Sequence, residues 1–180
     1  MQSTAFVTAV QHRTARVSVG ASTTRGQGPG VVAAGREFLA NLPLASFVVT
    51  EEAAFIKRLD AETLRLRDAL PVTGRSWGLA RKLLNIFLRD ALYTTYLSEA
   101  YQICRIESYL ETPLDPISAN ALQERAQSRK LPRWPGVKHL TREVSDAYQS
   151  FAATLAAQCG YSRAHLDTYW WGQRVEHDVA

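Results

Sequence analysis

Apolar residues recur at three- and four-residue spacing through most of the chain, which is typical of helices packed on one side. Prolines and glycines interrupt this pattern, and residues such as Thr50 and Thr141 precede new periodic segments as helix caps do. The pattern predicts helices over 31–42, 50–70, 78 to about 100, 115–128, 141–158 and 162–171. The expected fold class is therefore all-α.

The segment that follows Gly78 is apolar around most of its circumference, which predicts a helix through the centre of the fold. Its polar stripe is narrow. Arg81, Asn85 and Arg89 fall at four-residue steps with Lys82 beside them, so these side chains share a side that can face a cleft. In the alternative interpretation, Lys82 is a surface lysine whose aliphatic stem lies along apolar neighbours.

Residues 1–36 contain four arginines and no acidic residue. They lack the apolar core of a secretory signal, although an organelle transit peptide can share their composition. The Gly-Gln-Gly-Pro-Gly run at 26–30 indicates a loop. We therefore expect an irregular or short β-strand segment over 1–30, followed by a single helical domain over 31–180.

Composition narrows the class of protein. A chain of 180 residues with 46% hydrophobic and 21% charged residues can bury one substantial core. Two isolated cysteines, Cys104 and Cys159, are too few for a structural zinc or iron–sulfur site, so we expect no metal and no cofactor. They suit a reducing, cytoplasmic setting, and no apolar run is long enough to span a membrane.

The charge suits a polyanionic partner. The net charge is +4 and the pI is about 9.3. Six basic residues without an intervening acid surround Trp134, namely Arg125, Arg129, Lys130, Arg133, Lys138 and Arg142. This stretch is either a solvated basic loop or an edge that contacts phosphates and stacks a base on Trp134.

Two short motifs carry candidate chemistry. Gly78-Leu79-Ala80-Arg81-Lys82 predicts a tight turn that feeds a helix, where a glycine permits close approach and free amides can bind a phosphate. Pro113-Leu114-Asp115-Pro116 predicts a stiff entry into a helix with Asp115 as its cap and Pro116 at the first helical position. Lys82 and Asp115 are the predicted catalytic pair.

Together these motifs resemble the helix-hairpin-helix DNA glycosylase superfamily, whose hairpin reads Gly-x-Gly-x-Lys and whose catalytic aspartate opens a later helix in a Pro-(Val/Leu)-Asp segment. The second hairpin glycine is replaced by Ala80, and Pro116-Ile117 replaces the usual residues after the aspartate. The 33 positions between lysine and aspartate are similar to the archaeal 8-oxoguanine glycosylase branch.

The resemblance implies a monomeric protein with a central cleft that binds double-stranded DNA containing a damaged or modified base. It implies that Asp115 activates the nucleophile and that Lys82 attacks the sugar. The DNA-contacting residues it suggests are Gly78, Ala80, Arg81, Arg75, Arg133 and Lys138. Base-pocket residues are weaker predictions, namely Trp134, Trp170 and Trp171. His165 and Asp167 are expected to be structural.

A lysine nucleophile implies a glycosylase that also cleaves the strand at the abasic site. The excised base would be 8-oxoguanine-like or a hypermodified phage cytosine, which leaves both DNA repair and phage defence open. Two other classes remain. One is a non-catalytic helix-hairpin-helix DNA-binding module, in which Lys82 grips phosphate and Asp115 is only a cap. The other is a helical interaction protein that does not touch DNA.

Overall fold

The computed structural model describes residues 3–126 and 131–170, and within these ranges every regular element is a helix. The prediction of an all-α fold is confirmed. The described ranges contain α1 (Thr4–Ser18), α2 (Val31–Ala40), α3 (Glu52–Ala69), α4 (Trp77–Tyr93), α5 (Thr95–Tyr101), α6 (Pro116–Ala126) and α7 (Arg142–Cys159). Short 3-10 turns lie at Leu44–Phe47, Val72–Gly74, Ile103–Tyr109, Val137–His139 and Arg163–His165, and residues 166–170 are again helical.

The prediction of an irregular or β N-terminal segment is wrong for residues 4–18, which form α1. The Ser3 hydroxyl caps this helix by accepting a hydrogen bond from the Phe6 amide. Its buried face includes polar residues, and Gln11 donates from Nε2 to the carbonyls of Leu39 and Leu42. Because the core-facing stripe is not apolar, hydropathy alone does not reveal this helix.

Two hydrophobic clusters form the interior. The larger cluster contains residues from all five helices α1 through α5 and from the 3-10 turn at Ile103–Tyr109. The smaller cluster contains residues from α6, α7 and the segment around residues 166–170. Helix α4 is buried along most of its length, with Leu83, Leu84 and Phe87 fully enclosed. The central position predicted for this helix is the one observed, and it places the polar stripe of α4 inside the protein.

Gly78 lies in the first turn of α4 rather than in the predicted tight turn. Ser76 is the N-cap, and its hydroxyl accepts a hydrogen bond from the Leu79 amide. A Cβ at position 78 would lie 2.1 Å from the Val137 carbonyl oxygen and 2.7 Å from Leu140 Cβ. The glycine does permit a close approach, but the partner is the 137–140 segment of the same chain.

The 3-10 turn at Val72–Gly74 makes the connection from α3 to α4. Over residues 3–126 and 131–170, none of the helices combines the length and the apolar character that crossing a bilayer requires.

Candidate functional site

Asp115 is fixed at the start of α6 by its own capping bonds. Oδ1 accepts from the amides of Ile117 (2.9 Å) and Ser118 (3.0 Å), while the Asp115 amide donates to Ser118 Oγ (2.9 Å). Ser118 Oγ in turn donates to the Pro113 carbonyl. This local network holds the carboxylate in one orientation and leaves Oδ2 available for a partner.

That partner is Lys82. Its Nζ lies 3.6 Å from Asp115 Oδ2 and donates to the Thr23 carbonyl at 3.2 Å. Both side chains are mostly buried, since Lys82 is 8% and Asp115 6% exposed. The two residues that sequence selected are therefore brought together, in a contact longer than a direct hydrogen bond.

Two cavities meet at this pair. One has a volume of about 280 Å³ and extends past Arg89, and we call it the Arg89 cavity. Its walls are Ser22, Thr23, Lys82, Ile86, Arg89, Asp115, Asp167 and Thr168. The other, about 440 Å³, extends past Lys138, and we call it the Lys138 cavity. Its walls are Ser22, Thr23, Arg25, Gln27, Leu79, Lys82, Asp115, Pro116, Ile117, Gly136, Val137 and Lys138.

A second buried ion pair lies in the wall of the Arg89 cavity. Arg89 Nη1 donates to Asp167 Oδ2, and its Nε and Nη2 donate to Asp90 Oδ1. Asp167 is 4% exposed, and its Oδ1 has no hydrogen-bond partner among the described residues. Burial raises the pKa of Asp167 to about 6 and nearby Asp115 adds to the rise, although Arg89 opposes it.

Asp167 was expected to be structural, and that expectation stays a prediction. The structure adds that Asp167 lies in a cavity wall beside the predicted pair. A single aspartate in a terminal helix has no local signal that distinguishes it from a surface residue. Ser22, Thr23 and Arg25 were also missed as wall residues, because they come from a loop 57 or more positions before Lys82.

Arg81 does not face a ligand. Its guanidinium donates to both Glu111 oxygens at 2.7 and 2.8 Å, to Asp60 Oδ1 at 3.0 Å and to Thr63 Oγ1 at 3.1 Å. It is 3% exposed, so its predicted role as a DNA contact is wrong. Burial alone would raise the pKa of Glu111, but the charge and hydrogen bonds of Arg81, with a hydrogen bond from Asn85, hold that pKa below its usual value.

The other predicted DNA contacts divide by exposure. Gly78 and Ala80 are buried within α4, so neither can touch a phosphate in this structure. Arg75, Arg133 and Lys138 are exposed, and Lys138 also lines the Lys138 cavity.

The tryptophans predicted to form a base pocket pack elsewhere. The Trp134 ring lies edge-on against Tyr148 at 5.6 Å, and Trp170 is 5% exposed with the Arg125 guanidinium 5.5 Å from its ring. Both belong to the smaller hydrophobic cluster and neither lines the two cavities, so their predicted pocket role does not hold. Trp171 lies outside the described residues.

No three His, Cys, Asp or Glu side chains of the described ranges come together as a metal site would require. Comparison with known proteins finds no significant match to a family model, to a curated protein or to a solved structure.

Proposed function

We propose that this protein is a DNA glycosylase with lyase activity, built on a helix-hairpin-helix-like arrangement, that excises a damaged or modified base. The observation that supports it most is the position of Lys82 Nζ, 3.6 Å from Asp115 Oδ2 at the meeting point of two cavities. The chain brings together an amine and a carboxylate that are 33 positions apart. These are the two groups that the chemistry requires.

The carboxylate prepares the amine and stabilises charge. Because Oδ1 of Asp115 is occupied by two α6 amides, Oδ2 faces Lys82 and can take the proton that Nζ loses as it bonds to the sugar. The same negative oxygen stabilises the positive charge that develops on the deoxyribose as the base departs.

The neutral amine of Lys82 then attacks C1′ of the sugar. The C1′–N bond to the base breaks and its electron pair leaves with the base as the C1′–Nζ bond forms. The nitrogen lone pair then expels O4′ from C1′, and O4′ takes a proton, so that the sugar ring opens to a Schiff base. Loss of a proton from C2′ and departure of the 3′-phosphate by β-elimination cleave the strand. Water finally hydrolyses the Schiff base and restores the amine.

The two cavities suit an extruded nucleotide. The Arg89 cavity, at 280 Å³, is close in size to the smallest ligand pockets, about 300 Å³, and could take a single base. Arg25 and Lys138, both exposed, line the Lys138 cavity, where they could contact the flanking phosphates. The proposed substrate is DNA with an 8-oxoguanine-like base or a hypermodified phage cytosine.

Borohydride trapping tests the proposal directly. Duplexes that carry 8-oxoguanine, other damaged bases, or glucosylated hydroxymethylcytosine are incubated with the protein and reduced. We expect a covalent adduct with wild type and with Lys57→Gln, an exposed lysine on α3, but none with Lys82→Gln. Absence of a wild-type adduct would remove the lyase activity. Full base release by Asp115→Asn would remove the glycosylase activity as well.

One observation favours a second candidate, a non-catalytic DNA-binding module. Each group of the pair has an intramolecular role, because Lys82 Nζ binds the Thr23 carbonyl and Asp115 caps α6. This candidate predicts salt-dependent DNA binding without release of any base, and unchanged binding by Asp115→Ala provided that α6 remains folded.

A further inference from the structure

The Arg89 cavity contains a second carboxylate that the proposed reaction has not used. Asp167 and Asp115 line this cavity together with Lys82 and Arg89. The four charged groups come from three parts of the chain, namely α4, the start of α6 and helical residues 166–170. Asp167 thus forms part of the wall of the cavity that is proposed above to take the extruded base.

The two carboxylates have different hydrogen-bonding states. Asp115 Oδ1 accepts from two amides and Oδ2 faces Lys82, whereas Asp167 has one oxygen on Arg89 and one without a partner among the described residues. A buried carboxylate oxygen that accepts no hydrogen bond is unfavourable when ionised. Protonation of Asp167 at Oδ1 relieves this, and Arg89 still binds Oδ2.

The balance of charge in the cavity wall also favours a protonated Asp167. Lys82 and Arg89 face Asp115 and Asp167, and Arg89 also binds Asp90, so with every group ionised the carboxylates already outnumber the cations. Lys82 must be neutral to act as a nucleophile, and the cluster then carries an extra negative charge unless one carboxyl group holds a proton. The pKa of Asp167 is raised to about 6 by burial and by Asp115, and it faces the cations Arg89 and Lys82. Asp167 is therefore the better place for that proton.

We propose that Asp167 is the general acid that protonates the departing base, an inference that rests on the glycosylase activity proposed above. A turn of the carboxyl group brings the protonated oxygen, which is enclosed in this structure, toward the cavity. Its O–H bond then breaks, and the proton goes to a ring nitrogen or carbonyl oxygen of the base as the C1′–N electron pair leaves with the base. Lys82 Nζ bonds to C1′, and Asp115 takes the proton lost by the amine. Asp167 remains as a carboxylate on Arg89 and regains its proton from water.

Two substrates separate this role from those of Lys82 and Asp115. DNA that already contains an abasic site has no base to protonate, so it forms the Schiff base without a general acid. We compare borohydride adducts on abasic DNA with single-turnover release of whichever base the wild type removes fastest from the panel above. The variants are Asp167→Asn, Lys82→Gln and Glu62→Gln, the last a buried carboxylate bound by arginines away from both cavities.

We expect Asp167→Asn to lower base release about 100-fold at pH 5.5, as loss of a general acid does, and to form the abasic adduct like wild type. Lys82→Gln loses both activities and Glu62→Gln loses neither. The ratio of wild-type to Asp167→Asn rates should fall as pH rises above about 6, because Asp167 then loses its proton.

Equal loss of both activities in Asp167→Asn would show that Asp167 only positions its neighbours, and unchanged base release would show that it is not needed. Either result overturns the proposal. A wild-type protein that traps abasic DNA but releases no base also overturns it and leaves the lyase activity standing. A wild-type protein that does neither would instead contradict the proposed function itself.

Discussion

Arg81 and Lys82 are neighbours in sequence and both bind a carboxylate from later in the chain, yet the two ion pairs differ in kind. Arg81 and Glu111 share two hydrogen bonds of 2.7 and 2.8 Å, and both are 3% exposed. Lys82 and Asp115 are 3.6 Å apart and line two cavities. The first pair is completed by Asp60, Thr63 and Asn85 in a closed hydrogen-bond network, while the second pair borders two cavities.

The difference follows from the helix that carries both residues. Successive side chains of α4 point about 100° apart, so Arg81 points toward Glu111 and α3 while Lys82 points toward Asp115 and the 19–30 loop. Asn85, one turn after Arg81, also donates to Glu111, at 2.9 Å. One helix thus supports a stabilising network on one side and the candidate active site on the other.

The largest expected effect concerns the pair of Lys82 and Asp115, which lines the two cavities. Lys82→Gln should lower base release at least about a thousandfold, as loss of a nucleophile does. Its free energy of unfolding should fall by about 1–3 kcal/mol, because the buried Asp115 Oδ2 and Thr23 carbonyl lose a partner while Asp115 keeps both capping bonds from α6. Single-turnover kinetics and urea unfolding measure the two quantities. A large loss of stability would show that this pair is as structural as the other.

The pair of Arg81 and Glu111 should instead contribute mainly to stability. Arg81→Met leaves the Glu111 carboxylate buried with only Asn85 as a donor, and we expect a loss of about 3–5 kcal/mol in the free energy of unfolding. In a chain of this size that lowers Tm by roughly 10 °C. Arg65→Met, which removes a 63% exposed arginine from Glu62, should lose less than about 1 kcal/mol.

The double variant Arg81→Met/Glu111→Leu removes both buried charges and should recover most of the lost stability. If the double variant is no more stable than Arg81→Met, the unpaired Glu111 carboxylate is not the source of the loss.

Asp167 is intermediate between these two pairs, because its Oδ2 binds Arg89 while its Oδ1 has no hydrogen-bond partner among the described residues. Its folded pKa of about 6 exceeds the ordinary value of 3.8, so folding takes up a proton between these values. Wild-type stability should therefore fall as pH rises from about 4 to 7, by up to about 3 kcal/mol from this group. Asp167→Asn lacks this loss, so the difference between the two urea midpoints should move in favour of the variant as pH rises. A constant difference would contradict the raised pKa.

The smallest expected effect tests the close packing of the α4 N-terminus against the 137–140 segment. Gly78→Ala would place a Cβ 2.1 Å from the Val137 carbonyl oxygen, and the resulting overpacking should destabilise the protein by about 1–3 kcal/mol. Gly20→Ala is the matched control, because nothing lies within 4 Å of a Cβ there. Equal Tm values for the two variants would show that the 137–140 segment can move away from the added Cβ without a loss of stability.

Local sequence signals were sufficient for most of the helices. Thr50 is not a cap as predicted, because Glu51 holds the N-cap position of α3, and Ser76, the cap of α4, was not predicted. Asp115 and Thr141 do act as caps, Gly160 ends α7 with φ 78°, and the apolar periodicity of α4 matches its central position. These features depend on interactions within a few residues, which is why a pattern can predict them. Helix α1 was not predicted because its buried stripe includes the polar residues Gln11, Thr14 and Ser18. Gln11 and Ser18 are satisfied there by Leu42 and Asp90, which lie far away in the sequence.

The composition of the site was only partly predictable. Lys82 and Asp115 were found through motifs, but the same motif wrongly suggested that Arg81 contacts DNA. A guanidinium is equally suited to a phosphate and to a carboxylate, and only the position of Glu111 in the fold decided between them. Arg89 was predicted to face a cleft, whereas the partnership of Arg89 with Asp167, 78 positions away, has no local signature.

By itself, then, the sequence determined most of the helical segments and the cap at Asp115, and it singled out Lys82 and Asp115 as a candidate pair. Tertiary structure decided which charged side chains form closed ion pairs with one another and which of them line a cavity. The physical reason is distance: a cap or an apolar stripe forms between residues a few positions apart, whereas the surroundings of a charge depend on the parts of the chain that folding brings against it.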